Sequence, residues 1–353
     1  MNHRIAVIPG DGIGVEVTTE AVRVLEAVKS RLEKPLQLTH FDWGADRYLR
    51  EGVGLPAGAL EDLRENYGAI LFGAVGDPRV KDQIHAHQIL LGLRSQLDLY
   101  INLRPVKLLD ERLTPLKGKT EKDIDMVVFR ENTEGLYANV GGNFKRDTLD
   151  EIAVNEDINT RKGVERIIRA AFEMARKRPR KQICMSDKSN ALPQAHGLWL
   201  RTFRIVAAEY PDVQTTHLYI DVLAMEMVRA PERFDVIVTS NMFGDIVTDL
   251  GAVIAGGLGI AASGNIHPGR VSLFEPVHGS APDIAGKGIA NPLGALSSAA
   301  MMLAHLGEHD AAAVIDRQVE RAIKEQRCTK DVGGSLTTEA CGRWVADGIA
   351  KAT

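Results

Sequence analysis

The stretch FDVIVTSNMFGDIVTDLGAVIAGGLG, Phe234 to Gly259, decides how this chain is read. Val236, Ile237 and Val238 form a short apolar run of β type, broken at Ser240-Asn241, after which the pattern becomes helical. On that helix Asp245 and Asp249 stand four positions apart, so their carboxylates share one face, one above the other. Like charges at this spacing destabilise an isolated helix. One reading is a solvated acidic face. The other is a divalent cation between the two, because hard cations select carboxylate oxygens.

The same strand, polar break and helix recur on both sides. Arg4-Ile5-Ala6-Val7-Ile8 reads as a buried strand ended by Pro9-Gly10, then the loop Gly10-Asp11-Gly12-Ile13-Gly14 and a helix with Val17, Ala21, Val24, Leu25 and Val28 on one face. The glycine spacing is GxGxG, not the dinucleotide GxGxxG, and no acidic residue ends a second strand at the required distance. The turn is therefore read as a close backbone approach near a ligand, not as a Rossmann fingerprint. Ala69 to Gly73 is a second buried strand. In AHQILLGLRSQLDLYINLRP, Leu90, Leu93, Leu97 and Ile101 fall at helical spacing with Arg94 on the same segment, and Arg104 precedes Pro105, where a helix must have ended. IDMVVFR, residues 124–130, is a strand that delivers Arg130 at its end. Singly, each arginine reads as a surface cation. Together, three planar guanidiniums at segment ends suit bidentate grip of a carboxylate.

Residues 131–159 read as a polar loop with an extended arm that suits a dimer contact. Arg161 to Arg178 is a strongly amphipathic helix, Lys181 to Met185 a strand leading to Ser186-Asp187-Lys188-Ser189-Asn190, and Gln194 to Glu209 a helix. His217 to Val222 is expected to be extended, with Asp221 near its end. Leu273 to Pro292 is a long Gly- and Pro-rich connection ahead of an Ala-rich helix, and a loop of that length is usually functional. Gly279, Ser280 and Ala281 offer amides to a phosphate, and Asp283 an acceptor for ribose hydroxyls. Alternating strands and helices give an α/β fold with ligands at strand ends.

Composition narrows the class. At 353 residues the chain exceeds a single core, so two domains are expected. A net charge of -4 and a pI near 6.2 give no electrostatic case for nucleic acid or an anionic membrane. The three cysteines show no CxxC or metal-type spacing and suit a reducing compartment. MNHRIAVIPGDG lacks a charged region followed by an apolar one, and Gly251 to Gly264 is too short for a bilayer, so a cytoplasmic location is expected.

GDGIG, LLGLRSQLDLYINLRP, VVFRENTEGLY, SDKSN, YIDVLAM, SNMFGDIVTDL and EPVHGSAPDIAGKGIANP, in this order over nearly the whole chain, resemble the metal-dependent β-decarboxylating dehydrogenases, the isocitrate/isopropylmalate dehydrogenase family. The resemblance implies a three-layer α/β/α fold with a large mixed sheet, not Rossmann. Residues 1–98 with 252–353 would form the cofactor-binding domain. Residues 99–251 would form the substrate, metal and dimerisation domain, with the arm around 131–160. It implies that Arg94, Arg104 and Arg130 hold the carboxylates of a malate core. Asp245 and Asp249 would ligate Mg²⁺ or Mn²⁺ with Asp221 of a partner chain, and Lys188, also from the partner, would take the hydroxyl proton. Tyr137 would protonate the enol. Glu275, His278, Gly279, Ser280, Ala281, Asp283, Asn291 and Asn190 would line the cofactor in a cleft shared by a homodimer.

Asp283-Ile284 stands where NADP-using members resemble Lys-Tyr, and an aspartate repels a 2′-phosphate, which implies NAD. Before Arg94, Leu90 and Leu91 replace the polar grips of the isocitrate and homoisocitrate branches and point to an apolar γ-substituent, hence 3-isopropylmalate. His87 in place of a usual glutamate, the ENTEGLY form and Lys188-Ser189-Asn190 resemble tartrate/D-malate enzymes, which remain the alternative. A non-catalytic nucleotide-binding relative would be expected to lose these catalytic positions, and all are present.

Overall fold

The computed structural model describes residues 2–352. Twelve strands are β1 His3–Gly10, β2 Leu36–His40, β3 Ala69–Ala74, β4 Ile101–Lys107, β5 Asp125–Glu131, β6 Gly141–Phe144, β7 Ile152–Asn155, β8 Gln182–Asp187, β9 Gln214–Tyr219, β10 Val236–Thr239, β11 Ala262–Ile266 and β12 Ser272–Pro276. The α-helices are α1 Ile13–Val28, α2 Ala45–Glu51, α3 Ala59–Asn66, α4 Ile84–Ala86, α5 Gly92–Gln96, α6 Arg161–Lys177, α7 Ala195–Ala207, α8 Ile220–Arg229, α9 Asn241–Ala255, α10 Leu293–His305, α11 His309–Lys324 and α12 Thr338–Lys351. The expected α/β fold with a large mixed sheet is present: ten strands are divided equally between two compact units.

The first unit comprises Met1–Leu99, Lys107–Glu121 and Ala252–Thr353. Its strands run in the order β2-β1-β3-β12-β11. β1 lies parallel to β2 and β3, β12 is parallel to β3, and β11 is antiparallel to β12. β1 is buried on both faces, which is why its sequence is a continuous apolar run. Ile8, Ile70, Phe72 and Leu273 form the core of one face with Leu63, Leu93, Leu97 and Leu99, and α1, α10 and α12 pack together in the same unit. The excursion Lys107–Glu121 lies outside the boundaries expected from the sequence.

The second unit comprises Tyr100–Val106 and Lys122–Gly251. Its order is β4-β5-β10-β8-β9, with β5, β10, β8 and β9 parallel to one another. The apolar stripe of α6 (Val164, Ile167, Ile168, Ala171, Phe172, Ala175) is fully buried and packs on β5, β8 and β10. Thr160 caps α6, its hydroxyl accepting from the Gly163 amide at 2.9 Å. β6 and β7 form a separate antiparallel hairpin, exposed along its length, in the segment expected to form an arm.

Two local expectations are corrected. The helical spacing of Leu90 to Ile101 does not make one helix. Residues His87–Leu91 form a π-helical turn, α5 ends at Gln96, and Ile101 opens β4. Asp98 takes a left-handed φ of 52° and turns the chain, while Leu97 and Leu99 stay buried, so apolar spacing continued through a break in the helix. Asp221 is not in an extended segment either. β9 ends at Tyr219 and Asp221 lies in the first turn of α8, where its charge meets the positive end of the helix.

Candidate active site

Strand β10 ends at Thr239, and the chain enters α9 at once through Ser240 and Asn241. This short passage puts Asn241, Gly244, Asp245, Thr248 and Asp249 next to the end of β5, which carries Arg130. Arg130 is 1% exposed. Its Nε and Nη2 donate to Asn241 Oδ1 at 3.1 and 2.8 Å, and its Nη1 pairs with Asp245 Oδ1. Gly244 makes this approach possible: a Cβ there would fall 2.4 Å from Arg130 Cγ and 2.6 Å from its Cβ.

Arg104, on β4, comes to the same carboxylates. Its Nη1 donates to Thr248 Oγ1 at 2.6 Å and lies 3.7 Å from Asp249 Oδ1, while Nη2 lies 3.5 Å from Asp245 Oδ1. The residue before Pro105 is extended, as proline requires. Tyr137 donates its hydroxyl to Asp245 Oδ2 at 2.9 Å, and the Arg130 guanidinium lies over its ring at 5.3 Å. Arg104, Arg130, Tyr137, Asp245 and Asp249 therefore meet in one constellation.

The carboxylates differ electrostatically. Burial raises the Asp249 pKa, opposed by Arg104 and reinforced by the Asp245 charge. The Lys188 ammonium, whose Nζ lies 2.6 Å from Asp221 Oδ1, holds the Asp221 carboxyl below its usual value. Burial raises the pKa of Glu131, next to Arg130, although its oxygens accept from Thr133 and Glu134 amides. Among the described residues no single group of three or more His, Cys, Asp or Glu is assembled to hold a metal. The two aspartates on α9 nonetheless supply hard oxygen donors, with guanidinium cations at the carboxylates. That donor set fits a Mg²⁺ or Mn²⁺ completed by a carboxylate from elsewhere.

The remaining expected residues lie in the first unit, except Asn190, which lies in the second. Arg94 is buried and donates to Glu275 Oε1 at 2.9 Å, an oxygen that also accepts from Asn265 Nδ2 at 2.7 Å. Its Nε is buried without a hydrogen-bond partner among the described residues. Leu90 packs on the hydrophobic core of this unit, and Leu91 is half-buried beside it in the π-helical turn.

Gly12 has φ 55°, and a Cβ would lie 2.0 Å from Ser280 O, which accepts from the Ile13 amide at 2.8 Å. The GDGIG turn and the Gly279-Ser280-Ala281 segment are thus pressed together, the close approach the glycines implied. Burial lowers the His278 pKa and keeps its ring neutral. Its Nδ1 lies 2.9 Å from the Gly279 carbonyl, to which only a protonated nitrogen can donate. Nε2 is then a buried acceptor without a protein partner, which fits an exocyclic amino group such as that of adenine. Asp283 and Asn190 are exposed. Asn291 has structural partners, accepting from the Leu293 amide at 3.0 Å and donating to Asp331 at 2.8 Å.

Asn241 and Thr248 were not singled out from the sequence. Their signal was present as polar residues flanking the aspartates of SNMFGDIVTD, within one turn of each. All three cysteines are buried thiols without disulfides, with Cys184 pushed up to about 11 and Cys341 to about 12, so none suits a thiolate nucleophile.

A parallel-rich α/β scaffold that presents two aspartates, two arginines and a tyrosine in one cluster suits an enzyme acting on small carboxylic acids. The model of the isocitrate/isopropylmalate dehydrogenase family matches residues 4–345, and the chain belongs to that family of decarboxylating dehydrogenases. Similar relatives are a 3-isopropylmalate dehydrogenase of Thermobifida fusca, 48% identical over 99% of this chain and 98% of its own, and one of Mycobacterium bovis, 49% identical over 94% and 98%. Among solved structures, an isocitrate dehydrogenase of Methylococcus capsulatus matches with a TM-score of 0.89 at 38% identity, covering 99% of this chain and 100% of that one. A β-decarboxylating dehydrogenase of Thermococcus kodakarensis matches at 0.80 and 39%, covering 98% and 96%.

Proposed function

We propose that this chain catalyses the NAD- and Mg²⁺- or Mn²⁺-dependent oxidative decarboxylation of 3-isopropylmalate to 2-oxoisocaproate, a step of leucine synthesis, as a cytoplasmic homodimer. The observation that carries the substrate is the relatedness to 3-isopropylmalate dehydrogenases at 46–49% identity over nearly the full length. The apolar pair Leu90-Leu91 ahead of Arg94 supports it, because an isopropyl branch needs an apolar wall.

In this reading the first unit binds cofactor, and the second binds metal and substrate and makes the dimer. Arg94, Arg104 and Arg130 bind and orient the malate carboxylates. When bound, the cation supplies Lewis-acid polarisation of the hydroxyl and of the later enolate oxygen, and NAD supplies the hydride acceptor. Lys188 takes the hydroxyl proton as the C–H hydride leaves, which makes the 3-carboxylate a β-keto carboxylate and lets CO₂ depart. Tyr137 returns a proton to the carbon that lost CO₂. Asp283 accepts bonds from free ribose hydroxyls and excludes a 2′-phosphate by charge.

The test is NADH formation at 340 nm with Mn²⁺ and a panel of 3-isopropylmalate, D-malate, tartrate, isocitrate and homoisocitrate. The expected result is the highest kcat/KM for 3-isopropylmalate with NAD over NADP. A higher value for D-malate or tartrate would transfer the assignment to those substrates, and no turnover of any would end the enzyme reading.

A further inference from the structure

Lys188 follows directly on β8, which ends at Asp187, and its ammonium must find one proton from the end of a four-carbon stem. Its root is held unusually firmly. The Lys188 amide donates to His196 Nδ1 at 3.1 Å, across eight residues. His196 is 2% exposed, in the first turn of α7, with Phe243 of α9 tilted against its ring at 5.0 Å. Its other nitrogen, Nε2, lies 3.4 Å from Asp157 Oδ2.

Asp157 is held in turn. Its Oδ1 accepts from Asn159 Nδ2 at 2.9 Å, and Asn159 Oδ1 accepts from Trp199 Nε1 at 2.8 Å. Trp199 is fully buried. The His196 contact keeps the Asp157 carboxyl below its ordinary pKa, so the group facing Nε2 is a carboxylate. From the opposite side, His217 Nε2 lies 3.0 Å from Asp187 Oδ1, which also accepts from the Ser189 amide at 2.9 Å.

The chemistry fixes the tautomer. A backbone N–H can only donate, so His196 Nδ1 must present its lone pair, and the ring proton sits on Nε2 facing the Asp157 carboxylate. We propose that His196, oriented by Asp157, is a positioning residue for catalysis: it anchors the backbone of Lys188 so that the lysine Nζ is delivered to Asp221 and the reacting hydroxyl. This rests on the base assignment of Lys188 above. The physical reason is that proton transfer needs the base within hydrogen-bond reach, and a shift of about 1 Å costs on the order of 100-fold. A histidine serving only to fill the core would need neither the amide bond nor the carboxylate.

The test uses the full chain with 3-isopropylmalate, NAD and Mn²⁺. Lys188→Ala is read first: turnover surviving that change removes the base assignment and this proposal with it. Two substitutions then separate the imidazole nitrogens. In His196→Asn the side-chain oxygen overlays Nδ1 and keeps the acceptor for the Lys188 amide. In His196→Gln the amide overlays Nε2, keeps the Asp157 contact and loses that acceptor. The expected result is a kcat fall of roughly 10-fold or more for Gln, KM for substrate and cofactor within about 2-fold, and recovery of most of kcat by Asn.

Asp157→Asn provides a second route that leaves the imidazole in place. With its oxygen kept by Asn159, its amide faces Nε2, favours the Nδ1–H tautomer and sets two donors against each other at Lys188. It should reproduce the Gln defect in kcat, again with KM within about 2-fold. Wild-type kcat in His196→Gln or in Asp157→Asn would overturn the proposal. So would equal losses in His196→Gln and His196→Asn that follow their melting temperatures.

Discussion

Asp245 accepts Arg130, Arg104 and Tyr137 at one carboxylate, while Asp249, one turn on, has Arg104 at 3.7 Å. That asymmetry gives the two carboxylates different acid behaviour. A cation competes with protons for its ligands, and the ligand with the higher pKa is protonated first as pH falls. Asp249 is raised by burial, whereas Asp221 is lowered by Lys188, so in the proposed metal site the acid limb of affinity belongs to Asp249. Mn²⁺ titrations by calorimetry should show affinity falling toward about 10-fold per pH unit below the Asp249 pKa. Asp249→Asn should weaken binding at neutral pH and flatten that slope. A raised carboxyl pKa disfavours the charged form in the fold, so above the unfolded value Asp249 subtracts stability, a loss that disappears as pH falls through its folded pKa. Metal-free Asp249→Asn should therefore melt no lower than the parent at pH 7. Tyr137→Phe belongs to the same scale: it removes the proposed proton donor to the enol while Asp245 keeps its arginines. Mn²⁺ affinity should stay within about 3-fold while turnover falls by about 100-fold or more, from the lower end of the usual general-acid contribution upward. A retained kcat would release Tyr137 from the role.

At the scale of elements, α9 brings its aspartates to Arg130 because β10 feeds it beside β5. The arginine of one and the aspartates of the other meet across a glycine. Gly244→Ala would drive a methyl into the Arg130 stem, which cannot swing away because it is buried and fixed to Asn241. Expected is a loss of kcat/KM by roughly 100-fold, alongside a destabilisation of about 1–3 kcal/mol from overpacking. Activity assays paired with urea unfolding check both, and normal activity would show that Arg130 need not sit where it does. This strand-to-helix passage was legible in the sequence, because Val236-Ile237-Val238 changes period at Ser240-Asn241 within a few residues. So was α6, whose buried stripe follows a 3.6-residue period. The segment from Leu90 to Ile101 was not, since its leucines keep helical spacing across a π-helical turn and the left-handed Asp98. The anchoring of Lys188 by His196 escaped as well. Seven intervening residues, and a facing carboxylate, Asp157, that lies in a different segment, leave no periodic trace.

At the scale of the whole molecule, Lys188 and Asp221 pair with each other, while Asp245 and Asp249 gather with Arg104, Arg130 and Tyr137. No single group of three metal ligands forms among the described residues of one chain. If the site is completed by a twofold partner, each active centre combines the first pair of one subunit with the cluster of the other. Complementation tests this directly. Lys188→Ala and Asp245→Asn should each be nearly inactive alone. After the two are denatured together and refolded in equal amounts, half the dimers would be mixed. In a mixed dimer one centre carries both defects and the other carries neither, so total activity should recover to about a quarter of wild type. A site built within one chain predicts no recovery, because every centre would keep one defect. The restored centre should also show the parent KM for 3-isopropylmalate, since all three arginines and the remaining ligands there are intact. Recovery with an altered KM would mean that the refolded mixture had gained activity by a different route than a rebuilt, shared site.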